Sequence, residues 1–257
     1  MQSILLEATR GLGRTVLLVL AVACSGPGSP PLAPDPEPQP SPDPGPAPAR
    51  VVYLVSHPDS LNGSEKGIRD LAAALTGLPV VLVDDHAFRV SDLEGCRLVL
   101  MSKNVDDDVI GNRLRATPCG ILFWEENQQQ LRMLATMDND GSDGGVWHTR
   151  GRAVWIPPDA PAELSDGLSG TIDLFDREDE MGFGRRDQVP ESAMVVMEYK
   201  EPGNHKVVYA YERGATLADG TPAAGRRIFF GLYRDNFPHL TPEARRLFDA
   251  ALLWAAR

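Results

Sequence analysis

Four side chains mark where this sequence can do chemistry: His57, Asp84, His86 and Glu125. Each stands at or just past the end of a short apolar run, in Ser56-His57, Asp84-Asp85-His86 and Glu125-Glu126. Ser102-Lys103-Asn104 closes a further run in the same way. Imidazole and carboxylate groups gathered in one place can exchange a proton near neutral pH or hold a divalent cation. In an open parallel sheet, ligands bind outside the carboxyl ends of the strands, so these groups converge on one crevice if their strands are neighbours. The same polarity also fits loops that face water, with Asp84-Asp85 capping the segment that follows.

Three other sets of residues bear on chemistry. Asp138, Asp140 and Asp143 alternate as the ligands of a calcium loop do. That loop needs Gly at its sixth position and Glu at its twelfth, where this sequence has Asp143 and Thr149, so a surface loop is expected instead. Cys96 and Cys119 each precede an apolar run. If those runs are adjacent strands, ~4.8 Å apart, the two thiols lie within reach of a disulfide; the alternative is two separate buried thiols. Trp124, Trp147 and Trp155 can stack on sugar rings or simply pack in a core. No cofactor is expected.

The elements that must position these groups alternate between strand and helix. Apolar runs at 51–55, 80–83, 98–101 and 120–124 predict strands buried on both faces. Between the first two, Ile68, Leu71, Ala72 and Leu75 repeat at helical spacing, after a capping loop at 59–64 and before Gly77. Shorter helices are predicted over 109–114 and 128–135. Such alternation predicts a parallel sheet with right-handed crossovers. From about residue 138 the pattern becomes richer in strand, with candidates at 153–156, 170–175, 193–197, 207–211 and 227–232 and a tight turn at 218–221. A last helix starts at Thr241 and Pro242 and carries Leu247, Phe248, Ala251, Leu252 and Trp254 on one face.

The first 49 residues are different. Arg10 and Arg14 precede the apolar stretch 16–23, which is too short to span a bilayer and has the form of a signal peptide. Its end, Leu20-Ala21-Val22-Ala23-Cys24, resembles a bacterial lipobox. The resemblance implies cleavage after residue 23, lipidation of Cys24 and anchoring in the cell envelope, with Ser25 favouring the outer membrane. Several acyl chains hold firmly where one does not. Residues 24–49 then form a proline-rich tether with almost no aliphatic bulk, biased to polyproline II and ~75 Å long if extended. Its expected role is to hold the domain of 50–257 away from the membrane; recognition by a proline-binding module is the alternative.

Within that domain, several phrases occur in a particular order. They are Gly167-Leu168-Ser169-Gly170, Tyr211-Glu212-Arg213-Gly214, Ala218-Asp219-Gly220-Thr221-Pro222-Ala223, Arg226-Arg227-Ile228-Phe229, and the run from Leu247 to Ala255. In that order they resemble a bacterial extracellular domain of the ThuA-like, class I glutamine-amidotransferase-like superfamily, over about residues 51–256. The resemblance implies an α/β fold, a flavodoxin-like parallel sheet flanked by helices, here with a more β-rich C-terminal half. It does not bring glutamine hydrolysis with it. That reaction needs a Cys nucleophile on a strand-to-helix elbow with a nearby His. After Phe123, where the elbow belongs, stand Trp124-Glu125-Glu126, and Cys119 precedes its strand. His239 and Glu243 resemble a base and its orienter but have no nucleophile to activate.

The chain has 257 residues and a formal net charge of -11, which argues against binding to phosphate backbones or anionic lipid through a basic face. The first expectation is a cell-envelope lipoprotein whose domain binds a glycan or an envelope protein without catalysis. A second is a hydrolase or isomerase acting on a sugar-like substrate through His57, Asp84, His86 and Glu125. A third is a structural envelope component.

Overall fold

The strand at Arg50–Val55 (β1) is the axis of the fold. In the computed structural model, which describes residues 47–125, 148–185 and 188–257, it is followed by α1 (Gly63–Thr76), β2 (Val80–Asp84), β3 (Cys96–Met101), α2 (Asp107–Ile110) and β4 (Gly120–Phe123). Next come β5 (His148–Gly151), β6 (Ala153–Ile156), α3 (Ala162–Ser165), β7 (Gly170–Asp173) and β8 (Asp179–Gly182). The chain ends with β9 (Met194–Tyr199), β10 (Lys206–Tyr211), β11 (Arg227–Phe230) and α4 (Pro242–Ala255). All described residues belong to one compact unit, Gly45–Arg257. Cys24, the expected signal segment, most of the expected tether, the expected helix over 128–135, Trp147, and Asp138, Asp140 and Asp143 lie outside the described residues.

The fold is mixed α/β, built on a nine-stranded sheet of order β2-β1-β3-β4-β11-β10-β9-β6-β7 among the described residues. Strands β2, β1, β3, β4 and β11 run parallel, and β10, β9, β6 and β7 extend the sheet with antiparallel pairings. The four expected N-terminal strands are present, and the expected turn over 218–221 lies on the connection between β10 and β11, which pair antiparallel. The ribbon of β5 and β8 was not legible in advance, because His148-Thr149-Arg150-Gly151 has no apolar alternation.

The central strands read as unbroken apolar runs because both faces are covered. Val51, Tyr53 and Val55 meet Ile68 and Ala72 of α1 and Leu247, Phe248 and Leu252 of α4. Val52 and Leu54 face the other way, toward Phe88, Ile110 and Leu114. The expectation of a sheet flanked by helices is therefore met only in part. The two 14-residue helices, α1 and α4, share one face, while the described residues on the other supply the four-residue α2 and irregular segments. Among the described residues, no helix is long and apolar enough to cross a membrane.

Candidate functional site

The strand order itself creates a crevice. The chain leaves β1 through α1 toward β2 on one side, then crosses to place β3 on the other side of β1. The loops after β1 and β3 therefore diverge, and ligands of open α/β sheets bind at such a point. Here a cleft of about 530 Å³ opens, lined by Ser56, His57, Ser60, Asn62, Glu65, Asp85, His86, Asn104 and Asp106.

Two buried carboxylates hold its walls. Glu65 lies in the first turn of α1, where the spacing Asn62-Gly63-Ser64-Glu65 forms a capping box. The Glu65 backbone N–H donates to Asn62 Oδ1 at 2.8 Å, and the Asn62 N–H donates to Glu65 Oε2 at 3.0 Å. The other oxygen, Oε1, accepts from Ser102 Oγ at 2.7 Å and from Asn104 Nδ2 at 3.2 Å. One side chain thus closes the helix start and ties it to the end of β3. Asp85 does the same between the other loops: Oδ1 accepts from the His86 N–H at 2.8 Å, and Oδ2 from the Asp106 N–H at 2.6 Å. Asp106 in turn caps α2, with Oδ1 accepting from the N–H groups of Asp108 and Val109 at 3.0 and 3.3 Å.

Of the four side chains singled out from the sequence, the structure brings His57 and His86 into the cleft, both exposed. His86 Nε2 is 4.0 Å from Asp85 Oδ1. Asp84 does not line the cleft; its Oδ1 accepts from the His86 N–H at 2.9 Å. Glu125 is not in the lining either. It is buried at the end of β4 and accepts from Lys103 Nζ at 2.9 Å, while that ammonium lies 5.4 Å from the Tyr233 ring centroid. Among the described residues no lysine or arginine lines the cleft, so an anionic ligand would meet Glu65, Asp85 and Asp106 without a fixed cation to offset them. Among the described residues, no group of three or more His, Cys, Asp or Glu side chains is arranged to hold a metal ion.

Glu65, Asp106, Ser60 and Asn62 were not singled out from the sequence. The Asn62…Glu65 spacing was the available signal, since it marks a helix start beside a strand end. Trp124 is a core residue, edge-on to Tyr53 and Phe248 at 6.0 and 6.2 Å between centroids. Trp155 is half-buried beside Pro157, Pro161 and Met194 in a separate groove. Cys96 and Cys119 begin adjacent parallel strands and are free thiols.

Comparison with known proteins finds no family model that matches this chain, and no curated protein matches it.

Proposed function

We propose that the protein is an envelope lipoprotein whose folded unit binds a neutral, hydroxyl-rich ligand, a glycan, in the cleft beyond β1, β2 and β3, and does not turn it over. One observation carries this reading. Both oxygens of Glu65 and both of Asp85 already accept hydrogen bonds from the loops they hold, and Oδ1 of the third lining carboxylate, Asp106, caps α2, whereas the rest of the rim offers imidazole, hydroxyl and amide groups. A general base needs a carboxylate or imidazole aimed at the substrate proton, and a carboxylate engaged as a brace is poorly placed for that task. Uncharged donors and acceptors suit the hydroxyl groups of a sugar, and the acidic surroundings disfavour phosphorylated ligands. The parallel order β2-β1-β3-β4-β11 supports a flavodoxin-like reading of the fold, in line with the resemblance to ThuA-like domains. The apolar stretch before Cys24 supports export and lipid anchoring, and the net charge of -11 gives no support to nucleic-acid binding.

A glycan array probed with the full-length protein in detergent tests the reading, followed by calorimetry on each hit. His57→Ala and Asn104→Ala are each expected to weaken binding about tenfold, the loss of one or two hydrogen bonds. An array without hits, or hits indifferent to both substitutions, would overturn it. In cells that express the chain, Cys24→Ser is expected to abolish its fatty-acid labelling.

A further inference from the structure

At the opposite, amino end of the sheet lies a second cleft, of about 650 Å³, with Cys96 and Cys119 in its wall. The two residues start neighbouring parallel strands, with Leu98 opposite Gly120. Cys119 Sγ lies 3.2 Å from the Cys96 carbonyl oxygen, and Cys96 Sγ lies 3.2 Å from that of Leu98. Beneath them Arg227 is fully buried. Its guanidinium donates to the carbonyls of Cys119 (2.9 Å), Arg226 (2.9 Å), Thr117 (2.7 Å) and Arg115 (3.3 Å), and its Nε has no hydrogen-bond partner among the described residues. A buried cation held by carbonyls favours a negative charge nearby, and the Cys119 sulfur is in its field. The mouth of the cleft is basic in an otherwise acidic protein. Among the described residues, Arg97, Arg213, Arg226 and Arg257 line it with one carboxylate side chain, Glu212, which is paired to Arg226 at 2.9 Å, while Arg257 is paired to Glu163 at 3.5 Å.

We propose that Cys96 and Cys119 form a dithiol–disulfide exchange site that accepts an anionic, carboxylate-bearing small-molecule disulfide. The groups facing Cys119 are the Cys96 thiol of β3, Arg227 of β11 and the Thr117 hydroxyl before β4. The hydrogen bond with Cys96, aided by Thr117 and the Arg227 charge, lowers the Cys119 thiol below its ordinary value. The same hydrogen bond and burial push Cys96 up, so Cys96 keeps its proton until the second step. The Cys119 thiolate attacks one sulfur of the external disulfide, forms a mixed disulfide and releases one external thiolate. Cys96 then loses its proton to water, and its sulfur attacks that of Cys119. A Cys96–Cys119 bond forms and the second external thiolate leaves. Two protein thiols lose two electrons, and one external disulfide becomes two thiols.

The test uses the full chain carrying Cys24→Ser, so that only this pair reports, with oxidised glutathione as the probe and mass spectrometry of the intact protein as the readout. The pair is expected to close without accumulating a mixed disulfide, and to keep more of its rate than free cysteine does as the pH falls below 8. Cys96→Ser is expected to trap one glutathione on Cys119, and Cys119→Ser to slow the reaction at least tenfold. Neutral hydroxyethyl disulfide, scaled to its rate with free cysteine, is expected to react several-fold more slowly than glutathione disulfide. A pair that stays reduced, that reacts only in denaturant, or that reacts equally fast without Cys119 overturns the site. Equal scaled rates with the neutral disulfide overturn the anionic ligand. None of these outcomes depends on the cleft at the other end of the sheet.

Discussion

Glu65 does at the scale of one residue what the site needs from several. Its Oε2 closes the start of α1 through the Asn62 N–H, and its Oε1 holds Ser102 and Asn104 at the end of β3. Glu65→Gln preserves size but turns one acceptor into a donor. If the amide nitrogen faces Asn62 N–H, two donors oppose each other; if it faces Ser102 and Asn104, the anchor to β3 loses an acceptor. Either way a buried polar group is left unpaired, at about 2 kcal/mol. Urea unfolding should show that loss, and the cleft should bind its ligand several-fold more weakly than wild type because Asn104 is no longer held. Unchanged stability and affinity would mean that water replaces the carboxylate without cost. The sequence made half of this legible: Asn62 and Glu65 stand at the spacing of a capping box. The other half rests on contact between residues 37 apart, which no local pattern encodes.

At the scale of elements, β4 illustrates how close packing and topology constrain the chain. Gly120 opens the strand beneath the last turn of α4, and a Cβ built there would lie 1.7 Å from the Ala255 carbonyl oxygen. Backbone meets backbone at this point, so no side-chain rotation relieves the clash. Gly120→Ala must move the end of α4 off the sheet, and overpacking of this kind costs about 3 kcal/mol. Thermal unfolding should report it, together with greater exposure of Trp254, which is buried in that last turn. A midpoint within a degree of wild type would show that α4 slides freely. The N-terminal parallel strands were legible because each is an apolar run bounded by turn residues. The pairing of β4 with β11 was not, because the two strands come from distant parts of the chain and the long connection obscures their partnership. Helices on both faces were expected because the resemblance to ThuA-like domains implies them. Periodicity identifies α1 and α4 as amphipathic, but handedness and strand order decide that both cover one face.

For the folded unit as a whole, a parallel sheet has a direction, and its two ends carry different groups. The cleft proposed to bind a glycan sits beyond the carboxyl ends of β1, β2 and β3, and the thiols sit at the amino ends of β3 and β4. A six-residue strand such as β1 separates such ends by ~20 Å of close-packed core. Closing the Cys96–Cys119 bond joins two strand starts that are already neighbours, so its effect falls on the unfolded chain. Removing the entropy of a loop of about two dozen residues stabilises the folded state by about 3 kcal/mol. For a domain of this size that corresponds to a rise in unfolding temperature of about 10 °C. Ligand affinity at the far cleft should change less than twofold, because the bond moves neither the loops after β1 and β3 nor the side chains of Glu65 and Asp85. Calorimetry on the reduced and oxidised full chain reads both quantities in one preparation. A tenfold change in affinity on oxidation would show that the sheet transmits the bond from end to end, and would make the thiol pair a regulator of the cleft rather than an independent site.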